Sequence, residues 1–115
     1  VRAAGYKRVR VEAEVVARPG ADERRLGQEI VAALNAFVNP FIGGPEGAGW
    51  PFGRELYLSD LYACIQPVEG LLNVQNIEMY WVDEADRPYR ADRRIDLLAH
   101  EVVVSDIHQV RVTVE

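Results

Sequence analysis

Alternating apolar and polar residues near the start of the chain predict a strand. Over residues 7–17, Val9, Val11 and Val15 fall on one side, while charged residues fill the positions between them. A period of two is typical of a strand buried on one face. Pro19 and Gly20 favour a turn and end the strand, because proline cannot donate to a strand ladder.

A helical period follows the turn. Apolar residues recur at intervals of four, four and three: Leu26, Ile30, Leu34 and Phe37. The pattern predicts an amphipathic helix over residues 21–38. Asp22 and Glu23 fall in its first turn, where the helix dipole favours anions. Pro40 stops the helix, since the residue before a proline is pushed out of the helical region.

Residues 39–53 combine glycines and prolines with three large aromatic residues, Phe41, Trp50 and Phe52. A flexible linker would be polar, whereas aromatic side chains of this size pack against something. The segment is therefore predicted to be an ordered loop, packed either on this domain or on a partner.

The second half of the chain contains both the period of a strand and the period of a helix. An extended piece at residues 54–57 leads into a short helix that Ser59 caps and that Pro67 and Gly70 close. Residues 72–82 predict a strand, with Leu72 and Val74 on one side and a bulge near Gln75, where the apolar parity changes.

Three further segments complete the chain. Residues 83–94 are predicted to be a solvated polar loop, residues 95–107 to be partly extended, and residues 108–115 to be a last strand. The order β-α-(β)-α-β-β predicts an α+β two-layer sandwich, with two helices on one face of a small antiparallel or mixed sheet.

Composition narrows the function. The 115 residues predict a single domain, and the net charge of -5 argues against nucleic acid as a partner. Apolar runs are far shorter than the roughly 20 residues that a membrane-spanning helix needs. The single cysteine, Cys64, lies in an apolar pattern and is interpreted as a small buried hydrophobic residue.

The pattern of reactive residues predicts neither catalysis nor a cofactor. The glycine-rich segment 47–53 lacks phosphate-loop spacing and contains a proline where a backbone donor would be needed. His100 and His108, with Glu101 and Asp106, match no standard zinc spacing and are interpreted as surface or hydrogen-bonding residues. The chain is therefore expected not to be an enzyme and to hold no metal.

The order of segments resembles a known family. The relevant stretches are Ala-Arg-Pro-Gly-Ala-Asp before the first helix, Asn-Pro-Phe-Ile-Gly-Gly-Pro-Glu-Gly at 39–47, Gly-Trp-Pro-Phe-Gly-Arg at 49–54, Tyr-Leu-Ser-Asp-Leu-Tyr at 57–62, Pro-Val-Glu-Gly at 67–70 and Ser-Asp-Ile-His-Gln-Val-Arg-Val at 105–112. Together they are similar to the C-terminal region of baseplate J-like proteins, the putative baseplate assembly proteins of contractile phage tails and contractile injection systems.

The resemblance implies a structural role. Such a domain would be the C-terminal part of a longer wedge protein, assembled in the cytoplasm into a phage tail or injection particle. Its partners would be other baseplate subunits and copies of itself. Candidate residues for the interface or for loop packing are Phe41, Trp50, Phe52 and Tyr57. A small-ligand or carbohydrate-binding module that uses the Trp50 loop is the alternative.

Overall fold

The computed structural model describes residues 5–114, which form seven strands and two helices. The strands are β1 (Gly5–Ala17), β2 (Leu56–Tyr57), β3 (Leu71–Val82), β4 (Pro88–Ala91), β5 (Arg94–Ile95), β6 (Glu101–Ser105) and β7 (Gln109–Val114), and the helices are α1 (Glu23–Phe37) and α2 (Leu58–Ile65). Both helices pack on one face of a mixed sheet. The predicted α+β two-layer class is confirmed.

The central strand of the main sheet is β1. It pairs antiparallel with β3, which pairs antiparallel with β4, while β6 and β7 both run parallel to the other edge of β1. β6 follows the first half of β1 and β7 follows the second half. Two short strands, β2 and β5, form a separate antiparallel pair at residues 56–57 and 94–95.

The core lies between the sheet and the helices. The alternating residues of β1 that were predicted to face inward are buried there, and so is one stripe of each helix. Residues of β3, of β6 and of the small β2–β5 sheet complete the core. Its principal members are Val9, Val11, Ala13, Val15, Ala17, Leu26, Ile30, Leu34, Leu61, Ile65, Ile77, Met79, Leu56, Ile95 and Val103.

The two helix starts differ from the prediction. Helix α1 begins at Glu23, because the carboxylate of Asp22 accepts hydrogen bonds from the backbone N–H groups of Arg24 and Arg25 and so occupies the cap position. Ser59 does not cap α2. The N–H of Tyr57 donates instead to the Asp60 carboxylate at 3.0 Å, since Asp60 reaches back to the helix start from three residues inside.

The bulge predicted near Gln75 is confirmed. Glu14 lies opposite Asn76 and Val15 opposite Val74, which leaves Gln75 without a partner on β1. A second irregularity skips Leu72. As a result Leu71, rather than the predicted Leu72, points into the core, and Leu72 is exposed.

The polar segment at residues 83–94 is not simply a loop. Its first residues form a tight turn in which the Asp83 carboxylate accepts the backbone N–H groups of Ala85 and Arg87. The turn brings β4 against β3, where Tyr89 stacks on Trp81 with ring centroids 4.3 Å apart. The sequence did not predict this hairpin, because the side chains of β4 are largely exposed and therefore show no alternation of apolar and polar residues.

The segment at residues 95–107 is partly extended, as predicted, and supplies β6. Between β6 and β7 the chain kinks at residues 106–108, where the pairing with β1 is completed by other groups. The Asp106 N–H donates to the Val9 carbonyl at 2.8 Å, and the Val11 N–H donates to Nδ1 of His108 at 3.0 Å. A side chain thus takes the place of a backbone acceptor.

Candidate interaction surface

The loop at residues 39–53, called here the aromatic loop, is held closely at its start. The Asn39 side-chain oxygen accepts the N–H groups of Phe41 and Ile42, and the Gly44 N–H returns to the Phe37 carbonyl at 2.9 Å. The chain passes so close to the end of α1 that a Cβ at position 43 would overlap the Phe37 carbonyl oxygen and lie 2.7 Å from that of Asn39. Only glycine fits at this position.

Trp50 closes the aromatic loop from inside. Its side chain is 4% exposed, with the edge of the Phe37 ring at 5.5 Å and an interplanar angle of 87°. The indole Nε1 donates to the Arg54 carbonyl at 2.8 Å, and the backbone N–H donates to the Pro40 carbonyl at 3.3 Å. These contacts make Trp50 a packing residue and leave no open indole face for a ligand.

Arg54 ties Trp50 to the start of α2. Its guanidinium lies over the Trp50 ring at 5.2 Å and over the Tyr57 ring at 5.9 Å, and it donates to both Asp60 carboxylate oxygens at 3.0 and 3.3 Å. The Tyr57 hydroxyl donates to Glu55 at 2.6 Å, and this hydrogen bond raises the pKa of Tyr57. Tyr57 therefore belongs to the same structural cluster as Trp50.

The other two candidate aromatic residues point outward. Phe41 is 75% exposed and Phe52 is 66% exposed. Ile42 and Leu98, which sequence reasoning missed, are similarly exposed at 60% and 63%. We call Phe41, Ile42, Phe52 and Leu98 the distal patch.

The members of the distal patch lie on two adjoining segments. The N–H of Gly53, next to Phe52, donates to the Glu101 carbonyl at 2.9 Å. A Cβ at Gly53 would lie 3.1 Å from the α-carbon of Ala99, so the loop and the segment before β6 are in contact. The backbone at Leu98 is itself fixed, because its N–H donates to the Glu101 carboxylate at 2.7 Å. Large apolar side chains thus stand on a backbone that is held in place.

The sheet face opposite the helices has a different chemistry, because its side chains carry charges of both signs. Arg90 on β4 lies 3.2 Å from Glu78 on β3, and Arg111 on β7 lies 3.5 Å from Glu14 on β1. Arg10 on β1 pairs at 2.9 Å with Asp106, which lies in the kink after β6 and is partly buried. The two more exposed pairs between strands contribute little to stability and keep the face solvated.

The reactive side chains are placed in structural roles. Cys64 is half-buried with its thiol against the Ala33 carbonyl, and burial raises the pKa of the thiol, so it is not poised as a thiolate. His108 is 8% exposed and engaged on both ring nitrogens. Within residues 5–114, no group of three or more His, Cys, Asp or Glu side chains is arranged to hold a metal.

Comparison with known protein families finds no matching family model, and comparison with curated proteins finds no similar sequence. Across the described residues, neither helix is long and apolar enough to cross a membrane.

Proposed function

We propose that this domain is a structural part of a baseplate wedge in a contractile tail or injection particle, and that it acts through protein–protein contacts rather than catalysis. The distal patch is its contact surface. The observation that carries the proposal is the exposure of Phe41 and Phe52 on a loop whose backbone is fixed by Trp50 and Gly43.

Rigid presentation favours binding. A loop that is already ordered loses little conformational entropy when a partner covers it, so the burial of its aromatic side chains is converted into affinity more completely. Large exposed apolar side chains on one ordered loop are a feature of interaction sites. The buried indole of Trp50 gives no such support to the alternative, a carbohydrate- or small-ligand-binding face.

The resemblance of the aromatic loop to baseplate J-like proteins names the partner class. The partners are neighbouring baseplate subunits, met in the cytoplasm during assembly of the particle. A contact made by two aromatic anchors contributes about 2 kcal/mol or more for each anchor that is fully buried, which is enough to decide whether a weak subunit contact forms.

The test is a double substitution, Phe41→Ser with Phe52→Ser, made in the full-length parent protein. Because both rings are exposed, the melting temperature of the domain should stay unchanged while the yield of assembled particles, counted by negative-stain electron microscopy, falls. Ile107→Ser is the matched control, since Ile107 is 68% exposed but lies outside the distal patch. Normal particle yield with the double variant would refute the proposal.

A further inference from the structure

The two outer edges of the main sheet are protected to different degrees. On one side β4 has only four residues, begins at Pro88, contains Arg90 and is flanked by Arg87 and Asp92. Short length, proline and charge are the features by which proteins prevent an edge strand from pairing with another chain. The β4 edge is therefore protected against pairing with a strand of another chain.

β7 is less well protected, since it is longer than β4 and carries a single charged residue, Arg111. Its six residues alternate Val110, Val112 and Val114 with Gln109, Arg111 and Thr113, without proline. Within the described chain the strand order gives β7 one neighbour, β1. Since a strand presents backbone groups to both sides, every second residue of β7 directs its N–H and C=O away from the sheet.

A shallow, open groove of about 640 Å³ lies between α1 and β7. Its lining residues are Glu23, Arg24, Gly27, Gln28, Val31, Val110 and Val112. Gly27 lies beside β7, since a Cβ there would make an ordinary van der Waals contact with a Val112 methyl group at 3.5 Å. An added strand would therefore find both backbone partners and a place for apolar side chains.

We propose that β7 pairs antiparallel with β7 of a second copy of this chain, around a twofold axis through Val112. In this register Val110 faces the partner's Val114 and the two Val112 residues face each other, so the valine stripe continues on the helix side of the sheet. Arg111 faces the partner's Thr113 on the opposite side. Five residues of each strand take part.

The positive charge of Arg111 and the number of paired residues select this register over its neighbours. Centring the axis on Arg111 would place two guanidinium groups directly opposite each other, which is unfavourable. Centring it on Val110 would leave only residues 109–111 paired. The self-complementary pattern is what a twofold interface requires, because one patch must fit its own copy. Helix α1 of each copy then borders the groove of the other.

The dimer proposal does not depend on the distal patch, and a matched pair of substitutions tests it. Thr113 is exposed and faces Arg111 of the other copy twice in each dimer. Thr113→Lys should raise the dimer Kd, measured by analytical ultracentrifugation, by about 2- to 30-fold, and Thr113→Glu should lower it by about as much. The two variants have the same site and similar size, so a nonspecific effect would move both in one direction.

Hydrogen exchange locates the contact. Alternate backbone amides of β7 should become protected as protein concentration rises, while amides of β4 should not change. A wild-type chain that stays monomeric at concentrations of about 1 mM overturns the proposal. So does a dimer whose Kd ignores the sign of the charge at position 113, which would place the contact elsewhere.

Discussion

The His108 ring should make the free energy of unfolding fall as the solution is acidified. Its Nδ1 accepts the Val11 N–H at 3.0 Å, and its Nε2 lies 3.0 Å from the Ser105 hydroxyl, which donates to the Val38 carbonyl at 2.8 Å. The ring is therefore neutral with its proton on Nε2. This chain of hydrogen bonds joins β1, the kink between β6 and β7, and the end of α1.

Protonation would convert Nδ1 from an acceptor into a donor that faces the Val11 N–H. Burial lowers the pKa of His108 from 6.5 to about 4, although the nearby Asp106 carboxylate acts in the opposite direction. The unfolded chain consequently binds more protons than the folded chain between these values. The contribution to stability is complete above pH 6.5 and is lost as the pH falls towards 4.

The size of the effect follows from the two pKa values. At about pH 5 the linkage relation gives a loss of about 2 kcal/mol relative to about pH 7.5, and the residual exposure of the ring reduces this to about 1–2 kcal/mol. Urea denaturation at the two pH values, followed by tryptophan fluorescence, measures the difference at constant ionic strength. Carboxylates with ordinary pKa values remain largely ionised at about pH 5, so they contribute little in this window.

Two variants make the test decisive. His108→Asn keeps an acceptor near the Val11 N–H but cannot titrate, so its stability should be lower than that of the wild type but nearly constant between the two pH values. His100→Gln, at the other histidine, should retain the wild-type loss. If His108→Asn loses as much stability on acidification as the wild type does, the neutral, buried state of His108 is not the cause.

Three further predictions concern the aromatic loop and the β3–β4 turn. Gly43→Ala should lower the free energy of unfolding in urea by about 2 kcal/mol or more, because the new methyl group would overlap backbone oxygens. At Gly47 nothing lies within 4 Å, so Gly47→Ala should lower it only by the strain of a positive φ, about 1 kcal/mol. Trp50→Phe should lower the free energy of unfolding by about 1–2 kcal/mol, because it leaves the Arg54 carbonyl unpaired, and Trp50→Ala should lower it by about 3–5 kcal/mol. If calorimetry finds either variant as stable as the wild type, the assigned packing of Trp50 is wrong. Asp83→Ala should lower the free energy of unfolding and increase amide exchange at residues 85 and 87, because both amides lose their acceptor, while Glu84→Ala should leave both unchanged.

Local patterns were sufficient for most of the fold. The period of two in β1 and the stripe of Leu26, Ile30 and Leu34 in α1 depend on one buried face each, which the sequence displays directly. The bulge at Gln75 was visible for the same reason, because one extra residue reverses the parity of the buried positions. Where a single face decides the pattern, sequence and structure agree.

Elements that depend on distant partners were less visible. β4 has no buried face, and its existence depends on the turn that Asp83 nucleates and on the stacking of Tyr89 on Trp81. The parallel pairing of β6 and β7 with β1 joins residues about a hundred positions apart, and no local pattern encodes it. The cap of α2 was misassigned because Asp60 and Ser59 are both capable acceptors and only the backbone direction separates them.

Local sequence patterns also could not show which aromatic residues of the candidate site are buried and which are exposed. Trp50 and Phe52 stand two residues apart in the aromatic loop, yet one is buried and the other is exposed. The difference arises from hydrogen bonding, since the indole N–H can satisfy the Arg54 carbonyl inside the loop and a phenyl ring cannot. Pro51 and Gly53, with its positive φ, then turn the chain and direct Phe52 outward. The residue that holds the aromatic loop closed is therefore also the one that leaves the distal patch available to a partner.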